Sequence, residues 1–98
     1  MLHKNLISEA ASLPVAWRST ILGKAGGAQV KVLRMDECDY PDETHDFTEA
    51  LLVLDGQMNL DIHGEIVAVK AGELYLVPAR TPHAVAAGSR GTLVIIDQ

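Results

Sequence analysis

From Gly56 onward the chain alternates. Gln57, Asn59 and Asp61 fall on one face of an extended backbone, and Met58, Leu60 and Ile62 on the other. His63-Gly64 follows, and then a second apolar-rich run over residues 65–69. Two such runs joined by a two-residue X-Gly turn predict a tight hairpin. Lys70-Ala71-Gly72-Glu73 is the next turn and Leu74–Val77 the next strand. Pro78 and Pro82 bracket a loop, because neither can donate to a sheet ladder. Residues 83–86 and 92–97 complete the C-terminal strands, separated by a turn over 87–91. Upstream, Ala28–Met35 alternates in part, and residues 17–22 predict an earlier strand. The apolar run 50–54 reads as a short strand buried on both faces. No stretch keeps a helical period over three turns, and residues 6–13 have room for one or two turns at most. About eight short strands with frequent turn signals predict an all-β sandwich or barrel.

Composition narrows the class. With 98 residues, 48% hydrophobic and 21% charged, the chain fits one globular domain over residues 1–98, with 1–15 as an N-terminal arm or edge segment. The formal net charge of −5 and the lack of a basic cluster argue against nucleic acid as a partner. The single cysteine, Cys38, excludes an intramolecular disulfide and a thiolate-rich zinc site, and the acidic residues around it would raise its pKa and dull its reactivity. Lys4 and Glu9 interrupt any signal-peptide core, and the longest apolar run is far too short to span a bilayer. A soluble, cytoplasmic protein is the expectation.

The segment 36–46, DECDYPDETHD, carries six carboxylates and one histidine in eleven residues. It is expected to be an exposed loop whose chemistry depends on which side chains turn inward. His45 and Glu49 are four apart at the entrance to the 50–54 run, so on an extended chain they share a face, and Glu43 shares their parity. His83 opens another strand just after the Pro78–Pro82 loop. If the barrel closes, His45, Glu49 and His83 converge inside it. Two imidazoles and a carboxylate with open positions match the facial triad of non-haem Fe(II), and Mn, Ni, Co and Zn accept the same ligands.

These residues resemble the two motifs of the cupin family. The first motif reads G-x5-H-x-H-x3,4-E-x6-G, and His45-x3-Glu49-x6-Gly56 reproduces its second His, its Glu and its last Gly. The second reads G-x5-P-x-G-x2-H-x3-N, and Gly72-x5-Pro78-x4-His83 reproduces its Gly, Pro and His. The resemblance, over residues 43–56 and 72–87, implies a small single-domain cupin: a double-stranded β-helix, or jelly-roll barrel, around a cavity for a small molecule. It implies a divalent metal (Mn, Fe, Ni or Zn) held by His45, Glu49 and His83. It fixes neither reaction nor substrate, because the fold hosts many functions.

Three departures from the pattern bear on the site. The first motif His is Glu43, the Gly after Pro78 is Arg80, and the final Asn is Ala87. Glu43 either joins the metal as a fourth ligand, hardening the site toward Mn or Fe, or turns outward. Arg80 either accepts a positive φ or forces a different turn, and its guanidinium can hold an anionic ligand at the barrel mouth. The function implied is a metal-binding cupin that acts on or senses a small organic ligand. The alternative is a metal-free binding, structural or oligomerisation cupin with a degenerate site. A homodimer is expected, with Trp17 and the apolar N-terminal residues as its interface. Tyr40, Phe47 and Tyr75 read as packing residues, and Met35 and Met58 as core filling.

Overall fold

The apolar run at 50–54 and the alternating run after Gly56 are one strand. In the computed structural model, which describes residues 3–37 and 40–98, they form β4 (Glu49–Ile62), the longest of eight strands among the described residues. The others are β1 (Thr20–Ala25), β2 (Ala28–Met35), β3 (Tyr40–Glu43), β5 (Glu65–Lys70), β6 (Leu74–Val77), β7 (His83–Val85) and β8 (Arg90–Asp97), with a helix α1 (Leu6–Ala11) ahead of them. Every pairing is antiparallel, in the order β1-β2-β8-β4-β7-β3, with β5 and β6 also paired to β4.

β4 serves both walls of the barrel because it changes partners midway. Its N-terminal half lies between β8 and β6, and its C-terminal half between β5 and β7. The change occurs at a bulge, where the register with β8 passes from Val53↔Leu93 to Asp55↔Thr92. One extra residue reverses the parity of a strand. Glu49, Leu51 and Val53 are buried before the bulge, Met58 and Leu60 after it. At the bulge Gly56 and Gly91 face each other, both at positive φ (78° and 107°). A Cβ on Gly56 would overlap the Arg90 carbonyl, and one on Gly91 the Asp55 carbonyl, so the close crossing requires both glycines.

Outside the barrel, Leu52 and Leu54 pack toward Val32 and Val94, and α1 covers that patch with Leu6 and the buried Ala10. Both faces of 50–54 are therefore covered, as its unbroken apolar character predicts. Burying Val32 and Val94 contributes on the order of 1.5–3 kcal/mol each. Asn5 starts the helix by accepting a hydrogen bond from the Ser8 N–H at 3.1 Å. The expected N-terminal arm is thus a helix laid across the sheet. The β4–β5 hairpin turns on His63 (φ 53°) and Gly64 (φ 81°), the two positive φ values a type I′ turn needs.

Two expectations are corrected. The first strand begins at Thr20, not residue 17: Trp17 has φ 67°, its N–H donates to the Arg34 carbonyl at 2.9 Å, and its ring packs on the barrel core and on Tyr40. Trp17 is thus half-buried and lines the barrel. The acidic segment is not a continuous loop either. Its middle forms β3, paired with β7 through Tyr40↔Val85 and Glu43↔His83, because Tyr40, Glu43, His45 and Phe47 all turn to the barrel interior. Cys38 lies outside the described residues. Among the described residues no helix is long and apolar enough to cross a membrane.

Candidate metal centre

The barrel encloses a cavity of about 190 Å³ with one polar wall. Four elements build that wall. Glu43 ends β3 directly across from His83, the first residue of β7. Glu49 opens β4. His45 lies on the link between β3 and β4, where the Arg80 N–H donates to its carbonyl at 2.6 Å and its ring stacks on Phe47 at 4.9 Å. All four side chains anticipated from spacing therefore line one cavity.

Their ligand atoms are close. His45 Nε2 is 3.7 Å from Glu43 Oε2 and 3.9 Å from Glu49 Oε2. His83 Nε2 is 3.2 Å from Glu49 Oε1. Glu43, His45 and His83 offer ligand atoms all within 4.8 Å of one another, a group that can hold a metal ion. Glu49 meets the same two histidines but divides its two oxygens between them. Glu43 lines the cavity beside the cluster, with its side chain half-exposed.

The histidines are set for this arrangement. His83 Nδ1 lies 3.0 Å from the Thr81 carbonyl. A carbonyl only accepts, so Nδ1 carries the proton and Nε2 faces the carboxylates. With Nε2 unprotonated, its lone pair would oppose Glu49. The Glu49 hydrogen bond is accordingly the largest influence on His83 and outweighs burial, so its pKa is raised. For Glu49, burial is the largest influence and acts upward, but the His83 hydrogen bond, the charges of His45 and His83 and a contact with the Asp97 carboxyl together hold its carboxyl below the ordinary value. His45 Nε2 is buried and has no hydrogen-bond partner among the described residues.

That orphaned nitrogen tests the fit of an ion. Ligand atoms bound about 2.1 Å from a common centre stand roughly 3.0 Å apart when cis and roughly 4.2 Å apart when trans. The observed separations of 3.2, 3.7 and 3.9 Å fall in that range. The residues fit a divalent ion.

The profile of the cupin domain matches residues 32–97. The chain belongs to that family. Solved cupins confirm the barrel as a double-stranded β-helix. A cupin-2 domain protein from Shewanella frigidimarina superposes with a TM-score of 0.87 at 20% identity, covering 98% of this chain and 94% of that one. Protein NMB1881 from Neisseria meningitidis gives 0.83 at 25% identity, covering 97% of both. Hydroquinone 1,2-dioxygenase PnpCD, solved with Cd2+ and 4-hydroxybenzonitrile, gives 0.82 at 18% identity, covering 98% of this chain and 72% of that one. A comparison with curated proteins finds no match.

In this cupin Arg80 takes the positive φ (61°) of the motif glycine it replaces. Its side chain is exposed and lies outside the cavity lining, so its contact with the site is its backbone N–H to His45. Sequence reasoning missed other wall residues, among them Trp17, Lys31 and Asp97. Lys31 is in phase with the inward Leu33 on β2, and Asp97 with the inward Leu93 and Ile95 on β8. A charge in phase with inward apolar positions was a readable signal. Lys31 Nζ lies 2.9 Å from Asp97 Oδ1 and 3.2 Å from Oδ2, and the Oδ2 contact has hydrogen-bond geometry.

Proposed function

We propose that this cupin binds one divalent metal through His45, His83, Glu49 and Glu43, and acts on or senses a small organic ligand held in the barrel. The observation that carries the reading is His45 Nε2, buried between two carboxylates without a hydrogen-bond partner among the described residues. Two carboxylates beside two imidazoles favour Mn or Fe over softer ions. A bound ion would supply Lewis acidity or oxygen activation. The protein side of the chemistry is positional: Thr81 fixes the His83 tautomer and the Arg80 N–H anchors His45. A dioxygenase of the same fold holds Cd2+ with a small aromatic molecule, which supports this kind of cargo for the barrel.

One observation favours a second reading, a metal-free binding module. Glu49 and His83 already satisfy each other at 3.2 Å without an ion. Elemental analysis by mass spectrometry on tag-free protein, purified without chelator and then reconstituted with Fe(II) or Mn(II), separates the two. Metal near one per chain that disappears in His45→Ala supports the first reading; metal far below one per chain after reconstitution supports the second. The homodimer remains part of the proposal, with Ile7 and Val15 (47% and 48% exposed) as the N-terminal apolar surface. Analytical ultracentrifugation tests it.

A further inference from the structure

The cavity holds donors that the metal does not use. Trp17 lines it, yet its Nε1–H is shielded from solvent and has no acceptor among the described residues. Native structures rarely retain such a buried, unanswered N–H. The same residue sits at φ 67°, a conformation strongly disfavoured for a bulky side chain. Strain of this kind concentrates at sites that hold ligands. Lys31 is the second donor. Its ammonium has three N–H groups, and Asp97 takes one in hydrogen-bond geometry.

Charge and shape define what would fill the space. With a divalent ion balancing Glu43 and Glu49, and Lys31 balancing Asp97, the wall is neutral; its unanswered groups are the Trp17 Nε1–H, the remaining Lys31 N–H groups and one acceptor, Asp97 Oδ1, which lies 2.9 Å from Lys31 Nζ. Most of the rest of the lining is apolar, including Leu33, Leu51, Met58, Val85 and Leu93, with Ser19 a further polar residue. An apolar cavity of roughly 150 Å³ accepts benzene, so about 190 Å³ suits a molecule slightly larger than that.

We propose that the barrel takes a small carboxylate with an apolar body, its anionic oxygens accepting from Trp17 Nε1–H and Lys31 Nζ. This deepens the metal reading and rests on it: without the ion, three carboxylates face Lys31 and a protonated His83, a net negative wall that would repel an anion. The anion-holding role expected of Arg80 passes to Lys31 and Trp17.

Trp17 is the sole tryptophan, so its emission reports directly on this site. The probes are benzoate and butyrate, each against its neutral isostere, acetophenone and 2-pentanone. They are titrated into protein loaded with Zn(II), which does not quench indole, after zinc content has been measured. The expected result is a saturable emission change with at least one carboxylate, binding at least tenfold tighter than its ketone. Lys31→Met paired with Asp97→Asn, which strands no buried charge, should weaken that carboxylate at least tenfold in samples reloaded to the same measured zinc content. Trp17→Phe, followed by calorimetry, should also weaken it. Zinc at one per chain with neither carboxylate binding, or with ketones binding as well as carboxylates, overturns this proposal and leaves the metal reading standing. Absence of zinc overturns the metal reading. The carboxylate proposal falls with it, since its charge balance requires the ion.

Discussion

Glu49 Oε1 lies 3.2 Å from His83 Nε2, while the other nitrogen of that ring is held by the Thr81 carbonyl at 3.0 Å. The pair joins the first residue of β4 to the first residue of β7, and both side chains are buried. A proton on His83 Nε2 and a metal ion are alternative occupants of the same position.

A pH dependence of the metal-free protein follows. The raised His83 pKa gives stability that is complete below the ordinary imidazole value near 6.5 and is lost as pH rises through the folded value. The lowered Glu49 pKa gives stability present above the ordinary carboxyl value and lost as pH falls through the folded value. The pair therefore stabilises most between those limits. Urea unfolding with chelator present should show greater stability near about pH 6 than near about pH 8.5, and His83→Gln should flatten that difference.

Metal binding has the opposite dependence on the alkaline side. His83 must lose its Nε2 proton to bind an ion, so affinity should fall about tenfold per pH unit below its raised pKa. Calorimetric titration of the metal-free protein with Mn(II) across that range checks the slope. A flat profile would remove His83 from the ligand set.

The two carboxylates should separate on mutation. Glu43 is half-exposed and Glu49 buried. Glu43→Gln should leave folding stability within about 0.5 kcal/mol and lower metal affinity at least tenfold. Glu49→Gln should lower metal affinity and also cost about 1–3 kcal/mol, since it breaks the His83 pair. Metal content and thermal melts on the same samples distinguish these outcomes.

Position 80 is a backbone position. Its φ of 61° and its N–H to the His45 carbonyl are what the site uses. Arg80→Gly should retain metal and leave stability unchanged or raised by up to about 1 kcal/mol. Arg80→Pro should cost about 3 kcal/mol or more and release His45, lowering metal affinity. Equal metal binding in both variants would detach Arg80 from the site.

Gly56 and Gly91 should tolerate no side chain. Alanine at either would meet backbone carbonyl oxygen across the β4–β8 crossing and adopt a disfavoured φ. Each substitution should cost about 3 kcal/mol or more. Chemical denaturation, or failure to obtain soluble folded protein, reads the effect.

The amino-acid order by itself determined the strands that carry local signals. Leu74–Val77 matches β6 in both bounds, and His63-Gly64 makes the predicted hairpin turn, because alternation and turn chemistry act over a few residues. The spacing of His45, Glu49 and His83 also marked the polar wall of the cavity, since parity sets the face a side chain occupies and the motif resemblance brings the segments together. Local pattern does not encode what comes from closure of the barrel. The bulge merges two apparent strands into β4 and reverses their parity, so which residues point inward depends on pairing with β8. Trp17 leaves the expected strand because its ring finds the core and Tyr40, a gain over residues distant in the chain. Lys31 and Asp97 are 66 positions apart and meet only because β2 and β8 are neighbours. Sequence sets each residue's face, and the tertiary structure decides which faces share a cavity.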